Sequence, residues 1–306
     1  MKCVFVFATI LVVALSASAG WADSFAWFDG FLLGKYIKDK SEWVSGDPLQ
    51  GGDPKYHLER YWGGEECKVY SSAGYEGIGI AEAVKQDHPQ EFGSKSVGYS
   101  SPLLDIERRD GKKSEKLSIG SARLAVWGDG FDAMPRRATP LGPESETYKK
   151  IVKEYLAKRG LKNATPRITQ IFKVDLEGDG VDEVVIYAQN IFDAKKDAAT
   201  WRTDASPWLS GEALLPPAIS KKGDYSVAFL RKIVGGKVRE IPLFEYIGTG
   251  GGEATFLHKI CGFADLNGDG KLEIIANWRF SQGFSYEVYE VEGGEAKPVL
   301  SVGLEV

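Results

Sequence analysis

Histidine, cysteine and basic charge are all scarce in this chain, and each shortage closes a class of function. Only His57, His88 and His258 occur in 306 residues. None lies in an H-E-x-x-H helix, a paired metal-ligand spacing or a recognisable triad. There is no G-x-S-x-G elbow and no G-x-x-x-x-G-K-[ST] phosphate loop, which removes common hydrolase and nucleotide-binding readings. Lys and Arg number 38 against 43 Asp and Glu, for a net charge of -5. The pairs Lys112-Lys113 and Lys221-Lys222 read as solvated turns, not as parts of a basic stripe. No nucleic-acid partner is expected, because a phosphate backbone is held by clustered cations. Beyond residue 22 no stretch matches the roughly 20 apolar residues that a membrane-spanning helix needs.

The first residues supply the one long apolar run. Lys2 is followed by an uncharged stretch over 4–15 and then by small residues, the order of a secretory signal peptide. Cleavage fits after Ala19 or after Ala22, and Ala22 is preferred. Cys3 stands at the start of the apolar run, where a lipidated cysteine would not be. The expected product is exported, periplasmic or extracellular, without a membrane span. Two cysteines remain, Cys67 and Cys261. In an oxidising compartment they either pair or stay as two separate buried thiols, and spacing alone does not set the geometry of a bridge.

Periodicity is poor over 24–64, where aromatics mix with Gly, Pro and Asp; a short helix or two and long loops are expected. From 66 to 127 the chain reads as strands punctuated by turns, with a hairpin over 104–117 turning at Arg109-Asp110-Gly111-Lys112. One amphipathic helix then stands out. Tyr148, Ile151, Val152, Tyr155 and Leu156 recur at helical spacing, Pro143, Glu144 and Glu146 lie at its start, and Lys158, Arg159 and Gly160 lie at its end. Such a helix covers a sheet.

From residue 167 the chain repeats itself. Each unit is a strand, an acidic loop, a strand and a hairpin turned at a Gly-Gly pair, Gly235-Gly236 or Gly293-Gly294. Matching Asp175 to Asp265 and Tyr225 to Tyr286 gives spacings of 50 and 21, so the first unit carries an insertion of about 29 residues. It lies roughly at 193–222, with Trp201, Trp208 and Pro216-Pro217, and long loops of this kind are often functional. The fold class is mainly β: antiparallel sheets in two blade-like four-stranded units, one helix and an irregular β-containing N-terminal half. The expected organisation is a signal peptide (1–22), an N-terminal β-rich region (23–142), and a helix with a two-repeat calcium-loop domain (143–306).

The loops are DLEGDGVDE (175–183) and DLNGDGKLE (265–273). Both place oxygen-bearing side chains at relative positions 1, 3, 5 and 9, with glycine at 4 and 6. Calcium takes six to eight oxygens in a flexible cage, and a chain wraps it when alternate residues point inward around sharp turns. The expected ligands are Asp175, Glu177, Asp179 and Glu183 in the first loop, with the carbonyl of Val181. In the second they are Asp265, Asn267, Asp269 and Glu273, with the carbonyl of Lys271. Ile186 and Ala276 occupy the positions where a helix-loop-helix calcium site needs its bidentate Glu, so that motif is excluded. Glu177 is longer than the usual Asp or Asn, which makes the second loop the stronger site.

These loops and their flanks resemble the FG-GAP/VCBS-type repeats of integrin-like β-propellers, with the pattern D-x-[DN]-x-D-G-x-x-[DE]. The resemblance covers two stretches of the chain and implies one or two calcium ions in strand-connecting loops. It also implies a binding or scaffolding role, here toward an envelope glycan or protein. A propeller of that family has about seven blades, too many for 284 residues (306 less 22). The GDGFD stretch at 128–132 lacks the leading acidic pair and reads as a turn. The competing class is a secreted, possibly glycan-directed hydrolase with structural calcium, using carboxylates such as Asp129 and Asp132. GTGGGE (248–253) lacks the Lys and Ser/Thr of a phosphate cradle and reads as a flexible connector.

Overall fold

The computed structural model describes residues 24–28, 31–45, 66–81, 91–92, 95–96, 98–99, 106–110, 113–117, 123–128, 130–191, 219–280 and 283–305. The leader at 1–22, His57, His88, Asp129, and Trp201, Trp208 and Pro216-Pro217 of the insertion lie outside them.

The N-terminal part opens with strands β1 (Ser24–Phe28), β2 (Phe31–Ile37) and β3 (Glu42–Ser45). Short helices were expected there; over 24–45 the chain is strand and turn instead. Next come β4 (Glu66–Ser71), β5 (Gly74–Ala81) and three two-residue strands, β6 (Glu91–Phe92), β7 (Lys95–Ser96) and β8 (Gly98–Tyr99). Strands β9 (Ile106–Asp110) and β10 (Lys113–Leu117) form the expected hairpin, with Asp110 opposite Lys113. Together with β11 (Leu124–Trp127) they build an eight-stranded antiparallel sheet ordered β10-β9-β5-β4-β11-β1-β2-β3.

The short strand β12 (Thr139–Pro140) precedes helix α1 (Glu146–Lys158). The helix ends where the sequence says it should. Gly160 takes a left-handed φ of 91°, its N–H reaches the Ala157 carbonyl, and Leu161 N–H reaches the Leu156 carbonyl at 3.0 Å. That pair of bonds is the Schellman closure, which glycine permits.

Two further antiparallel sheets follow. The first unit holds β13 (Ile168–Val174), β14 (Glu183–Gln189), β15 (Tyr225–Val234) and β16 (Lys237–Ile247), with β12 on its edge. The second holds β17 (Leu257–Ala264), β18 (Glu273–Phe280), β19 (Gly283–Glu292) and β20 (Glu295–Glu305), with β8 on its edge. No sheet closes into a barrel among the described residues.

Strand register corrects the match between units. Val184 stands opposite Arg231 and Ile274 opposite Tyr289, so Tyr286 corresponds to Ala228 and not to Tyr225. The glycine turns agree: Gly235 lies 60 residues after Asp175, Gly293 lies 28 after Asp265, and the insertion is 32 residues, not 29. The aromatic pair matched by residue type was three positions out of step.

Three packed cores hold these layers face to face. Val152, Tyr155 and Leu156 of α1 pack on Ile186, Val227 and Phe229 of the first unit, with Tyr155 stacked on Phe229 at 3.8 Å. Burying each such side chain stabilises by roughly 1.5–3 kcal/mol. The other face of that sheet, with Val185, Tyr187 and Leu230, meets Ile260, Phe263 and Ile274 of the second unit. The second unit then turns Ile275, Phe284 and Val302 toward Phe31, Leu33 and Val126 of the N-terminal sheet. The order is helix, first unit, second unit, N-terminal sheet. Cys67 lies in a cluster within the N-terminal sheet, and Cys261 packs between that sheet and the second unit. The two cysteines thus sit in different layers and are not joined to each other, Cys67 buried and Cys261 half-buried, and burial pushes the Cys67 thiol up to about 12.

Candidate metal centre

Both acidic loops connect the first two strands of their unit, β13 to β14 and β17 to β18. Their backbones are built alike. Asp175 accepts hydrogen bonds from the N–H groups of Gly178 (2.7 Å), Asp179 (3.2 Å) and Gly180 (3.0 Å). Asp265 accepts from Gly268 (2.6 Å) and Gly270 (2.9 Å). Asp179 and Asp269 each take the N–H two residues on, from Val181 and Lys271. Glu183 and Glu273, at the last position, reach back to the N–H of Leu176 and Leu266.

Glycine is required at position 4 twice over. Gly178 and Gly268 have φ of 74° and 76°, and a Cβ there would sit 2.9 Å from the Arg136 guanidinium or 3.1 Å from the Phe131 ring. Leu176 and Leu266, at position 2, are buried in successive interlayer cores, which fixes each loop to its sheet.

The segment after β11 ties the loops together. Of the GDGFD stretch, read as a turn, residues 130–132 are described; they begin an irregular run over 130–138 that lies against both. Phe131 covers Gly268, and the Ala133 carbonyl accepts the N–H of Asp265 at 2.8 Å. Arg136 donates to the carbonyls of Asp175 (2.7 Å), Leu176 (3.2 Å) and Gly270 (2.7 Å). Leu272 N–H also reaches the Leu176 carbonyl at 2.8 Å. Arg136, Phe131 and Ser24, whose hydroxyl donates to the Leu266 carbonyl, were not found from sequence, since they come from outside the two loop-bearing units.

Electrostatics separates the two loops. Lys232 Nζ lies 2.5 Å from Glu177 Oε1, and Arg136 Nε lies 3.9 Å from Asp175 Oδ2. Asp182 pairs with Lys173. In the second loop Asp265, Asn267 and Glu273 are all buried, and among the described residues no Lys or Arg forms an ion pair with Asp265, Asp269 or Glu273. Burial, with the neighbouring carboxylates Asp265, Asp269 and Glu290 adding to it, holds Glu273 well above the usual carboxylate range. Asp265 is raised by burial first and by Asp269 after it. Glu183 is also raised by burial, with Lys232 opposing.

Among the described residues no three acidic, histidine or cysteine side chains converge as a ready cage. The donor chemistry nevertheless suits a hard cation: oxygens only, on a glycine-turned loop, with negative charge removed from water. Buried carboxylates without a basic partner relieve their charge by taking a proton or a cation.

The remaining chemistry-bearing groups are engaged elsewhere. His258 is buried, stacked on Phe244 at 3.8 Å, with Nδ1 3.2 Å from Ser226 Oγ. Asp132 accepts the N–H of Met134. The 248–253 stretch is not a flexible connector: it wraps the Glu253 carboxylate, which accepts from the N–H groups of Thr249, Gly250 and Gly251 and from Ser220 Oγ. Those contacts lower Glu253 to about 2. No protein-family model matches the chain, and neither a curated protein nor a solved structure matches it.

Proposed function

We propose that this is an exported, non-catalytic binding or scaffolding protein whose acidic loops of the FG-GAP/VCBS type bind calcium. The observation that carries the reading is the second loop, where Asp265, Asp269 and Glu273 lie without a basic partner among the described residues and two of the three are buried. Asp265, Asn267, Asp269 and Glu273 would hold the ion, which supplies positive charge where the fold concentrates negative charge. The loop sits where the second unit meets the N-terminal sheet through Leu266 and Ser24, so the ion's role is to stiffen that junction. The proposed partner is an envelope glycan or protein, met by the aromatic-rich insertion and the N-terminal loops.

Thermal unfolding with calcium and with chelator tests the reading. A site saturated at a hundred times its dissociation constant adds about 2.7 kcal/mol, seen as a melting temperature that climbs with free calcium. Asp265→Ala removes most of that calcium-dependent gain. Superimposable wild-type curves in calcium and chelator refute the reading.

A further inference from the structure

Strand register places Lys232 and Glu290 at the same point of the two units. Arg231 and Tyr289 face equivalent residues of the second strand, Val184 and Ile274, and Lys232 and Glu290 follow them directly. The hairpins agree, since Val234 pairs with Lys237 and Glu292 with Glu295. At this shared position the two units carry opposite charge, and in each the side chain reaches its own acidic loop.

The lysine is buried, 8% exposed, with its ammonium 2.5 Å from Glu177. A buried ammonium persists only where carboxylates surround it, and the first loop provides them: Glu177 in contact and Glu183 within electrostatic reach. In the second unit, Glu290 Oε1 receives Trp43 Nε1 at 2.6 Å and Asn267 Nδ2 at 3.5 Å. Trp43, on β3 of the N-terminal sheet, therefore turns the glutamate toward the second loop. Its charge adds to that of Asp265, Asp269 and Glu273, whereas Lys232 subtracts from that of Asp175, Glu177, Asp179 and Glu183.

We propose that Lys232 is a built-in counter-ion standing in for calcium at the first loop, so that the chain takes up one ion, at the second loop, with Glu290 as an added acidic member of that site. This rests on the calcium reading above and sharpens it from one or two ions to one. A divalent ion in the first loop would face the ammonium at close range, in surroundings that screen charge less than water does. Position 3 fits the same division: the anionic Glu177 pairs with the lysine, and the neutral Asn267 instead donates to Glu290 and accepts the N–H of Asp269.

Calcium uptake by the full chain, measured by isothermal titration calorimetry, decides it. The wild type binds one ion, and Lys232→Gln binds two. Glu290→Lys loses affinity by about a hundredfold or more, as a like charge at that range requires. A wild type that binds two ions overturns the counter-ion and leaves the calcium reading standing; one that binds none overturns both. A folded Lys232→Gln that still binds one ion also overturns the counter-ion. Should Lys232→Gln not fold, the single variants Asp179→Ala and Asp269→Ala decide. Uptake survives the first and is lost in the second, and the reverse pattern overturns the proposal.

Discussion

Acidifying the protein loads a strain onto His258 that the unfolded chain does not feel. The imidazole lies between the two units, flat on Phe244 and with Nδ1 beside Ser226 Oγ, and is buried. Burial depresses it from 6.5 to about 3. Below pH 6.5 the unfolded chain binds a proton here and the folded chain does not, until the pH nears 3. Stability therefore falls with falling pH across that window and is unaffected by this group above it. One proton of difference is worth about 1.4 kcal/mol per pH unit, so His258 removes roughly 2 kcal/mol by pH 5. Urea unfolding at half-unit steps from pH 7.5 to 4.5 would measure it, comparing wild type with His258→Phe, which keeps a ring against Phe244. Carboxylates such as Glu273 and Asp265, raised in the fold, contribute with the opposite sign but equally in both proteins. The difference between the two curves should slope by about 1.4 kcal/mol per unit below pH 6.5. Parallel curves would refute a sealed, neutral histidine.

Two further outcomes follow from packing around the sheets. In Gly79→Ala the added methyl would lie 2.5 Å from Ile106 Cγ2, 2.8 Å from Val69 Cγ2 and 3.0 Å from Cys67 Sγ. Overpacking of this kind should lower stability by about 1–3 kcal/mol, read as a reduced urea midpoint with an unchanged slope. Arg136→Met removes the donors to the carbonyls of Asp175, Leu176 and Gly270 and should cost about 2–4 kcal/mol, while Arg136→Lys recovers only part because an ammonium lacks the planar fork. Full recovery by lysine in thermal melts would argue against a bridging role.

Helix α1 and the strands flanking the acidic loops were legible because their signals are local. Tyr148, Val152, Tyr155 and Leu156 mark a stripe within one element, and Gly160 marks its end. The acidic loops carry their Asp and Gly spacing within nine residues. Strand β2 was missed for a different reason. Phe31, Leu32 and Leu33 are all buried in succession, Phe31 and Leu33 toward the second unit and Leu32 toward the opposite core. A strand covered on both faces shows no alternation to read. Lys232 was hidden by alignment: matching Tyr225 with Tyr286 shifts the third strand by three residues, so the lysine no longer falls beside Glu290. Aligning the glycine turns instead would have exposed the reversed charge. Arg136 had no such signal, since its hydrogen-bond acceptors are carbonyls, which every residue possesses.

Helix α1 also decides how far the pile of sheets can grow. Arrays of like units extend wherever an end unit leaves an apolar face for the next to cover. On the first unit that face is already roofed by Val152, Tyr155 and Leu156, while charged residues such as Lys150, Lys153 and Glu154 are exposed. The helix is thus a terminal cap on that side, and a longer version of this architecture would have to replace it before another blade could be added there.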